Sequence, residues 1–216
     1  FLVVSIAVSL LFLQQSRLRE AQVLYLSQTD PLTQLYNRRT AQERLAELTQ
    51  NPAGYPISVV LLDLDFFKKI NDTHGHLIGD RVLQAVSQVL RDSLRKNDLI
   101  ARFGGEEFLM ILDGITCNTA EKVAERCRAL LMKTVVLNDA GEQVALTGSF
   151  GVACILTGSQ FVVDDILRQA DEALYHAKEN GRNQVVMHAC PNERLGLTNP
   201  QARRLGEQIA AAARLS

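Results

Sequence analysis

Arg102-Phe103-Gly104-Gly105-Glu106-Glu107-Phe108 is the stretch that decides the fold, and short apolar runs over 99–101 and 109–112 lie on either side of it. A glycine pair between two apolar runs predicts a tight β-hairpin, because glycine adopts the positive φ angles that such turns use. Glu106 and Glu107 would lie at the hairpin tip, where paired carboxylates suit a divalent metal ion or a proton transfer. A surface hairpin with solvated acids is the alternative at this point.

Composition limits the classes of protein to which the chain could belong. It has 216 residues, 47% of them hydrophobic and 22% charged, which is typical of one globular domain with extensions. The net charge of −1 gives no electrostatic reason to expect a nucleic-acid partner. The cysteines show no metal-ligand spacing and predict reduced, mostly buried thiols of a cytosolic domain: Cys117, Cys127, Cys154 and Cys190.

The N-terminal residues 1–13 are apolar apart from Ser5 and Ser9. A helix that crosses a bilayer takes about 20 residues, so this run would be the end of a truncated transmembrane helix. Arg17 and Arg19 follow, as on a cytoplasmic flank, which predicts a membrane anchor. A buried or coiled-coil helix is the alternative. Apolar residues seven positions apart between 11 and 25 extend the prediction to a signalling helix over 1–28.

Pro31 separates this helix from a domain of alternating elements, since proline disfavours helical geometry at the preceding residue. The apolar run over 57–62 reads as a central buried strand. The order of elements predicts an α/β sandwich around a mostly antiparallel sheet. The other predicted elements are a helix from Asp30 or Thr33 to about 49 with Leu35 inside, a helix over 82–94, a helix to 131 with Leu130 inside, a turn at 138–141, a strand over 145–155, a helix over 166–177 stopped by Gly181, and a strand over 185–187.

Acidic residues follow two of the predicted strands. Asp63 ends the buried strand, and Glu106 with Glu107 begins another, so neighbouring strands would bring these carboxylates together. Such oxygen ligands would hold Mg²⁺ against a phosphate. Lys178 and Arg182 straddle a helix end four residues apart and could reach a triphosphate from one face. Solvated charges favoured by the helix dipole are the alternative for these two residues.

With these segments in place, the chain resembles the GGDEF family of diguanylate cyclases. The resemblance covers about residues 29–189 and leaves 190–216 as a partly helical tail. Residues 104–108 read Gly-Gly-Glu-Glu-Phe where the family name has Asp-Glu, and active members use both forms. The other motifs that carry it are Asp30-Pro31-Leu32-Thr33, Asn37-Arg38-Arg39, Asp63-Leu64-Asp65-Phe66-Phe67-Lys68, Asn71-Asp72, Gly75-His76, Gly79-Asp80, Ala173-Leu174-Tyr175, Ala177-Lys178 and Gly181-Arg182-Asn183.

The resemblance implies a ferredoxin-like palm, similar to that of adenylyl cyclases, in which helices flank the sheet. Each subunit of a homodimer would hold one GTP. The 3′-hydroxyl of one GTP would attack the α-phosphorus of the other, and two such steps would yield cyclic di-GMP and two pyrophosphates. Two Mg²⁺ ions per site are implied, with Mn²⁺ as the alternative ion.

The resemblance also implies the metal ligands: Asp63, the Leu64 carbonyl and Glu106, with Glu107 close by. Clustered acids repel one another unless a cation lies between them, which agrees with this set. Glu106 is also the implied proton acceptor. Metal binding lowers the proton affinity of a carboxylate, so a Glu106 that is only a ligand, with water taking the proton, is the alternative.

The implied substrate residues surround these ligands. Asn71 and Asp80 would read guanine, because a carboxylate accepts from its N1–H and N2–H and an amide can donate to O6 or N7. His76 could contact substrate or be structural. The remaining residues are implied to contact GTP, with Lys68 stabilising charge on its phosphates and the last two holding its terminal phosphates: Phe66, Phe67, Lys68, Lys178 and Arg182.

Arg95 and Asp98 are spaced like the inhibitory product-binding site of the family. Arginine can bond a guanine edge and a phosphate together, and aspartate can accept from guanine N–H groups. A helix end followed by an ordinary turn is the alternative.

The resemblance leaves three candidate functions. An active diguanylate cyclase is favoured, since no motif glycine or acid is lost. A catalytically silent receptor for cyclic di-GMP is the second. The third, a polymerase or a cyclase with another product, is disfavoured by the lack of a basic groove and by the Asn71 and Asp80 pair.

Overall fold

A six-stranded sheet forms the centre of the molecule in a computed structural model that describes Gln14 and residues 28–50, 56–155 and 163–189. Its strands are β1 (Tyr36–Asn37), β2 (Ile57–Leu64), β3 (Leu99–Arg102), β4 (Glu107–Asp113), β7 (Gly148–Ile155) and β8 (Val185–Met187). A separate two-stranded ribbon consists of β5 (Val136–Leu137) and β6 (Gln143–Val144), joined at the predicted 138–141 turn.

The strand order in the sheet is β1-β3-β4-β2-β7-β8. The pairs β3–β4, β4–β2 and β2–β7 are antiparallel, whereas β1 and β8 add parallel edges. The predicted mostly antiparallel sheet is therefore confirmed. Every residue of β2 is buried, because its apolar side chains face helices on both sides of the sheet.

Helices cover both faces of the sheet: α1 (Arg38–Thr49), α2 (Phe67–His74), α3 (His76–Ser93), α4 (Cys117–Leu131) and α5 (Val163–Glu179). One core cluster joins α2, α3 and α4 to Val60 and Leu62 of β2. The other joins α1 and α5 to Val59 and Leu61. Alternation along β2 thus serves two cores, which produces the predicted sandwich.

The first helix begins later than the sequence predicts. Helix α1 begins at Arg38, where the Asn37 side chain accepts a hydrogen bond from the Thr40 N–H and caps the first turn. The Asp30 carboxylate instead accepts from the N–H and the hydroxyl of Thr33 and closes a local turn. The predicted helix start at Asp30 or Thr33 is therefore wrong, and Leu35 is buried outside the helix.

Three smaller expectations also differ from the structure. The helix predicted over 82–94 begins earlier, at His76, where Gly75, with φ of 83°, separates it from α2. Leu130 is 40% exposed, because the buried stripe of α4 runs through Cys127 and Leu131 instead. The strand predicted from residue 145 begins at Gly148.

The predicted membrane anchor, the 1–28 signalling helix and the helical tail lie outside the described residues, apart from Gln14 and Gln28. Of the helices in the described ranges, none has the length and apolar character needed to cross a membrane. Cys117, Cys127 and Cys154 are buried as predicted, and Cys190 lies outside the described residues.

Candidate active site

The predicted hairpin joins β3 to β4, with Arg102 opposite Phe108. The glycine pair was expected to supply positive φ angles to the turn, but neither Gly104 nor Gly105 has a positive φ. A Cβ on Gly104 would lie 2.3 Å from Glu107 Oε2, whereas a Cβ on Gly105 would meet nothing within 4 Å. Gly104 therefore makes room for a catalytic-motif carboxylate, and Gly105 leaves open space beside the turn.

Arg102 holds this turn in place. Its Nε and Nη2 donate to the Gly105 carbonyl at 3.1 and 2.8 Å, and its Nη1 pairs with Asp30 at 3.2 Å. Burial alone would raise the pKa of Asp30, but hydrogen bonds from Thr33 together with Arg102 hold that pKa below its ordinary value. The glycine turn is thus tied to the residue at which the domain begins.

Two acids converge where β2 meets β4. Asp63 lies opposite Glu107 in the strand register, which confirms that the two predicted strands are neighbours. Burial raises the pKa of Asp63, while Lys178, whose Nζ lies 2.8 Å from Asp63 Oδ2, and the more distant charge of Arg182 oppose the rise. Burial followed by repulsion from Asp63 also raises the pKa of Glu107. Positive charge at this point would stabilise both carboxylates.

The donor set fits a hard divalent cation in its chemistry. The predicted ligands are all oxygens, and burial of Asp63 imposes a cost that a cation would offset. The Leu64 N–H donates to the Glu106 carbonyl at 3.3 Å, so the predicted ligand segments are adjacent. Within the described ranges, however, no three His, Cys, Asp or Glu side chains are close enough together to hold a metal ion.

A cavity of about 510 Å³ lies beside the turn, between it and helices α2 and α3. It is lined by predicted site residues, namely Phe67, Lys68, Asn71, His76, Asp80 and Glu106. The Asn71 amide oxygen is buried and accepts no hydrogen bond from any described residue. A Cβ on Gly79 would lie 1.9 Å from that oxygen, so Gly79 makes the position of the amide possible. The cavity therefore offers a ligand the side chains of Asn71 and Asp80.

Lys178 and Arg182 reach the site by different routes. Lys178 lies on α5, whereas Arg182 follows Gly181, with φ of 107°, in a turn beyond the helix. The guanidinium of Arg182 lies 5.0 Å from the centroid of the Phe66 ring, which is 62% exposed. The two cations straddle the end of the helix as predicted, but they do not share a helix face, because Arg182 lies beyond the last turn. These three residues do not line the 510 Å³ cavity.

Arg95 and Asp98 line a second cavity of about 390 Å³, which shares no lining residue with the first. The Arg95 N–H donates to Asp98 Oδ2 at 2.9 Å, and the Asp98 N–H donates to the Arg95 carbonyl at 3.0 Å. The segment is thus a self-closed turn after α3, as in the alternative interpretation. Its two side chains nevertheless adjoin a space that also receives Arg91.

Sequence reasoning assigned no role to Arg102, Gly79 or Asp65. Asp65 is 5% exposed and accepts three hydrogen bonds from two other segments of the chain, residues 147–149 and the turn at 181–183. Its place directly after a buried strand was the available signal, since a buried acid needs compensation.

Residues 27–184 match the family model described as "Diguanylate cyclase, GGDEF domain". Diguanylate cyclase DosC of Escherichia coli strain K12 is 40% identical over 162 residues, which are 73% of this chain and 34% of DosC. Response regulator PleD of Caulobacter vibrioides strain NA1000 / CB15N is 41% identical over 166 residues, which are 76% of this chain and 36% of PleD. The chain thus spans about a third of the length of these relatives.

A similar solved structure is the coiled coil and GGDEF domain of DgcB from Caulobacter crescentus in complex with c-di-GMP. The TM-score is 0.80 at 29% identity, over 86% of this chain and 98% of that one. The match to the family model covers well over half of the 216 residues. With the helix-covered sheet and the Gly-Gly-Glu-Glu-Phe hairpin beside its cavity, the chain belongs to the GGDEF family of diguanylate cyclase domains.

Proposed function

We propose that residues 29–189 form an active diguanylate cyclase domain that condenses two GTP molecules into cyclic di-GMP and two pyrophosphates. The observation that carries the proposal is the register of β2 and β4, which brings Asp63 and Glu107 together beside the hairpin. The family match and the intact Gly-Gly-Glu-Glu-Phe motif support it. A catalytically silent receptor for cyclic di-GMP is the second candidate, supported by the separate cavity at Arg95 and Asp98.

The cavity would bind the guanine end of GTP. The Asn71 amide would donate to O6 or N7 of guanine. The carboxylate oxygens of Asp80 on α3 would accept from its N1–H and N2–H groups. Adenine has no N2 amine and presents an acceptor at N1, so it would leave these oxygens unsatisfied.

The phosphates of GTP would lie toward Asp63, on the side of the site that carries the lysine and arginine side chains. Lys68 lines the cavity, Lys178 contacts Asp63, and Arg182 lies beside Phe66. Phosphoryl transfer depends mainly on positioning and charge neutralisation, which these cations supply.

Asp63, the Leu64 carbonyl and Glu106 would hold Mg²⁺, or Mn²⁺ in its place, with two ions per site and Glu107 close by. The ions would neutralise charge on the reacting phosphates. Glu106 would accept the proton of the attacking 3′-hydroxyl, with water as the alternative acceptor.

A second subunit would supply the second GTP. The guanine-reading pair of Asn71 and Asp80 lines a cavity that would hold one GTP, so the attacking hydroxyl would come from the GTP of a partner across a homodimer. The rate per subunit should then rise with protein concentration until the dimer saturates. Residues 1–28, outside this domain, would anchor it to the bacterial inner membrane, with the domain in the cytoplasm.

The deciding experiment is to incubate the chain with Mg²⁺ and GTP and to identify the product by mass. Cyclic di-GMP with two equivalents of pyrophosphate is the expected result. Binding of cyclic di-GMP without turnover of GTP would instead identify a receptor. Another nucleotide product would favour a different cyclase or a polymerase.

GTP is expected to be used at least about 100-fold better than ATP, because groups placed to hydrogen-bond guanine are left unpaired by adenine. Asp80→Asn should lower GTP turnover strongly with little change in melting temperature, since Asp80 is exposed. Asp92→Asn is the matched control on the same helix, outside the cavity. Comparable turnover of ATP by the unaltered chain would contradict the guanine assignment.

Added cyclic di-GMP is expected to slow the reaction through Arg95 and Asp98. Arg95→Ala should abolish this inhibition, because the residue supplies a charged donor to the cavity of about 390 Å³. Initial rates over a range of added product measure the effect. Arg81→Ala, which removes an exposed ion pair to Asp139 elsewhere on α3, should leave inhibition unchanged. Equal inhibition of Arg95→Ala and the unaltered chain would argue against this site.

A further inference from the structure

Asp65 joins three parts of the chain at one buried carboxylate. Its Oδ1 accepts from the Ser149 hydroxyl at 2.7 Å, and its Oδ2 accepts from the Thr147 hydroxyl at 2.8 Å. The same Oδ2 accepts from the Asn183 N–H at 3.0 Å. Only 5% of the surface of Asp65 is exposed. Its hydrogen bonds link the end of β2 to the start of β7 and to the turn at residues 181–183.

The turn at residues 181–183 has an unusual backbone. Gly181, Arg182 and Asn183 have φ angles of 107°, 61° and 45°, so two residues with side chains follow glycine in the left-handed region. Such conformations persist only where the surrounding structure enforces them, and they concentrate at functional sites. The contacts that the turn makes with its surroundings therefore hold it in this conformation.

The turn is held from two sides. On the helix side, the Arg182 N–H donates to the Ala177 carbonyl at 3.0 Å. On the sheet side, Asp65 accepts from the Asn183 N–H, and Arg128 donates to the Asn183 carbonyl and amide oxygens at 3.3 and 2.9 Å. Arg182 lies between these two anchors, so its direction depends on both.

The side chain of Arg182 has no other strong restraint. It is exposed, and among the described residues it forms no ion pair; its one recorded contact is the Phe66 ring. Phe66 directly follows Asp65 and itself has a φ of 56°. Asp65, which accepts from the N–H of the residue after Arg182, thus also directly precedes the ring that the guanidinium contacts.

We propose that Asp65 is a positioning residue that acts through Arg182. By fixing the 181–183 turn, it directs the guanidinium toward the phosphate end of the site and so sets the preference of the domain for a nucleoside triphosphate over a monophosphate. This role rests on the proposed function, in which Arg182 holds the terminal phosphates of GTP.

The test compares the affinities of the chain for 3′-deoxy-GTP, which lacks the attacking hydroxyl, and for GMP, both with Mg²⁺ present. Asp65→Ala is expected to lower the preference for the triphosphate about tenfold, the size of one lost charge-assisted contact. Asp65→Asn should keep most of the preference, because its amide oxygen can still accept from Asn183 and its NH₂ can donate to Ser149. In an Arg182→Ala background, Asp65→Ala should cause no further loss.

Ser58→Ala is the matched control for a general loss of stability. Ser58 is a fully buried polar residue on β2 whose hydroxyl donates to the Ile115 carbonyl and lies 3.2 Å from Cys154 Sγ, away from the nucleotide. It should lower the melting temperature without changing the ratio of the two affinities. If Asp65→Ala does not fold, Thr147→Val removes one of the three hydrogen bonds and should lower the ratio two- to threefold, an estimate of roughly half a kcal/mol.

The outcomes separate this role from the proposed function. An unaltered chain that binds neither nucleotide contradicts the proposed function and, with it, the role of Asp65. A triphosphate preference that Asp65→Ala leaves intact, or equal losses for both nucleotides, contradicts the role of Asp65 alone. Additive losses in the Asp65 and Arg182 double variant also contradict it, because they mean that the two residues act separately.

Discussion

Glu106→Gln is expected to lower the rate of cyclic di-GMP formation at least about 1,000-fold, since it removes the charge of a proposed metal ligand and the proposed proton acceptor together. The amide has nearly the shape of the carboxylate, and Glu106 lines the cavity at a half-buried position, so the fold should persist. Product formed per minute from GTP and Mg²⁺ measures the effect. Glu121→Gln, an exposed acid on α4, is the control and should react at the unaltered rate.

The two proposed roles of Glu106 predict different responses to magnesium. If the residue acts only as a ligand, high Mg²⁺ should restore part of the lost rate by mass action. If it also takes the proton, the rate should stay low at saturating Mg²⁺. A Glu106→Gln variant that retains more than about a tenth of the rate at ordinary Mg²⁺ would refute the active-site assignment, since either role requires a larger loss.

Gly151→Ala is expected to cost about 3 kcal/mol of folding stability or more, at the upper end for overpacking. A Cβ at this position of β7 would lie 2.1 Å from the Ala170 carbonyl oxygen and 2.3 Å from the Leu174 backbone nitrogen. Both atoms belong to the backbone of α5, so the whole helix must move. Since α5 carries Lys178, cyclase activity should fall as well.

Denaturant unfolding followed by circular dichroism measures this loss. Gly105→Ala is the control for stability, because its added Cβ would meet nothing within 4 Å. It should change the free energy of unfolding by less than about 0.5 kcal/mol. A loss below about 1 kcal/mol in Gly151→Ala would mean that α5 can shift on the sheet without strain.

The hairpin, the buried strand β2 and the closing strand β8 could be predicted because their signals are local. An apolar run over 57–62 specifies a strand covered on both faces wherever it lies in the sheet. The start of α1 could not be predicted in this way, because Asp30 and Asn37 both have side chains that cap helices. Contacts with Thr33 and Arg102 engage Asp30 in a turn and leave the cap to Asn37.

Contacts between residues far apart in the chain could not be predicted from the sequence. Arg102 and Asp30 are 72 positions apart, and Asp65 and Asn183 are 118 positions apart. No periodicity links such residues, because their contact depends on which strands are neighbours and on where each loop returns. The hydrogen bonds that Asp65 accepts from distant segments can therefore be identified only in the folded chain.

The sequence by itself determined the kinds of groups at the site. These are acids at the ends of predicted strands, a glycine pair directly before the two glutamates, and cations at a helix end. Only the tertiary structure decided which acid faces which. Successive residues of a strand point to opposite faces, so the register of β2 and β4 sets Glu107, rather than Glu106, opposite Asp63. A shift by one residue would exchange the two glutamates, and the burial of both core faces prevents that shift.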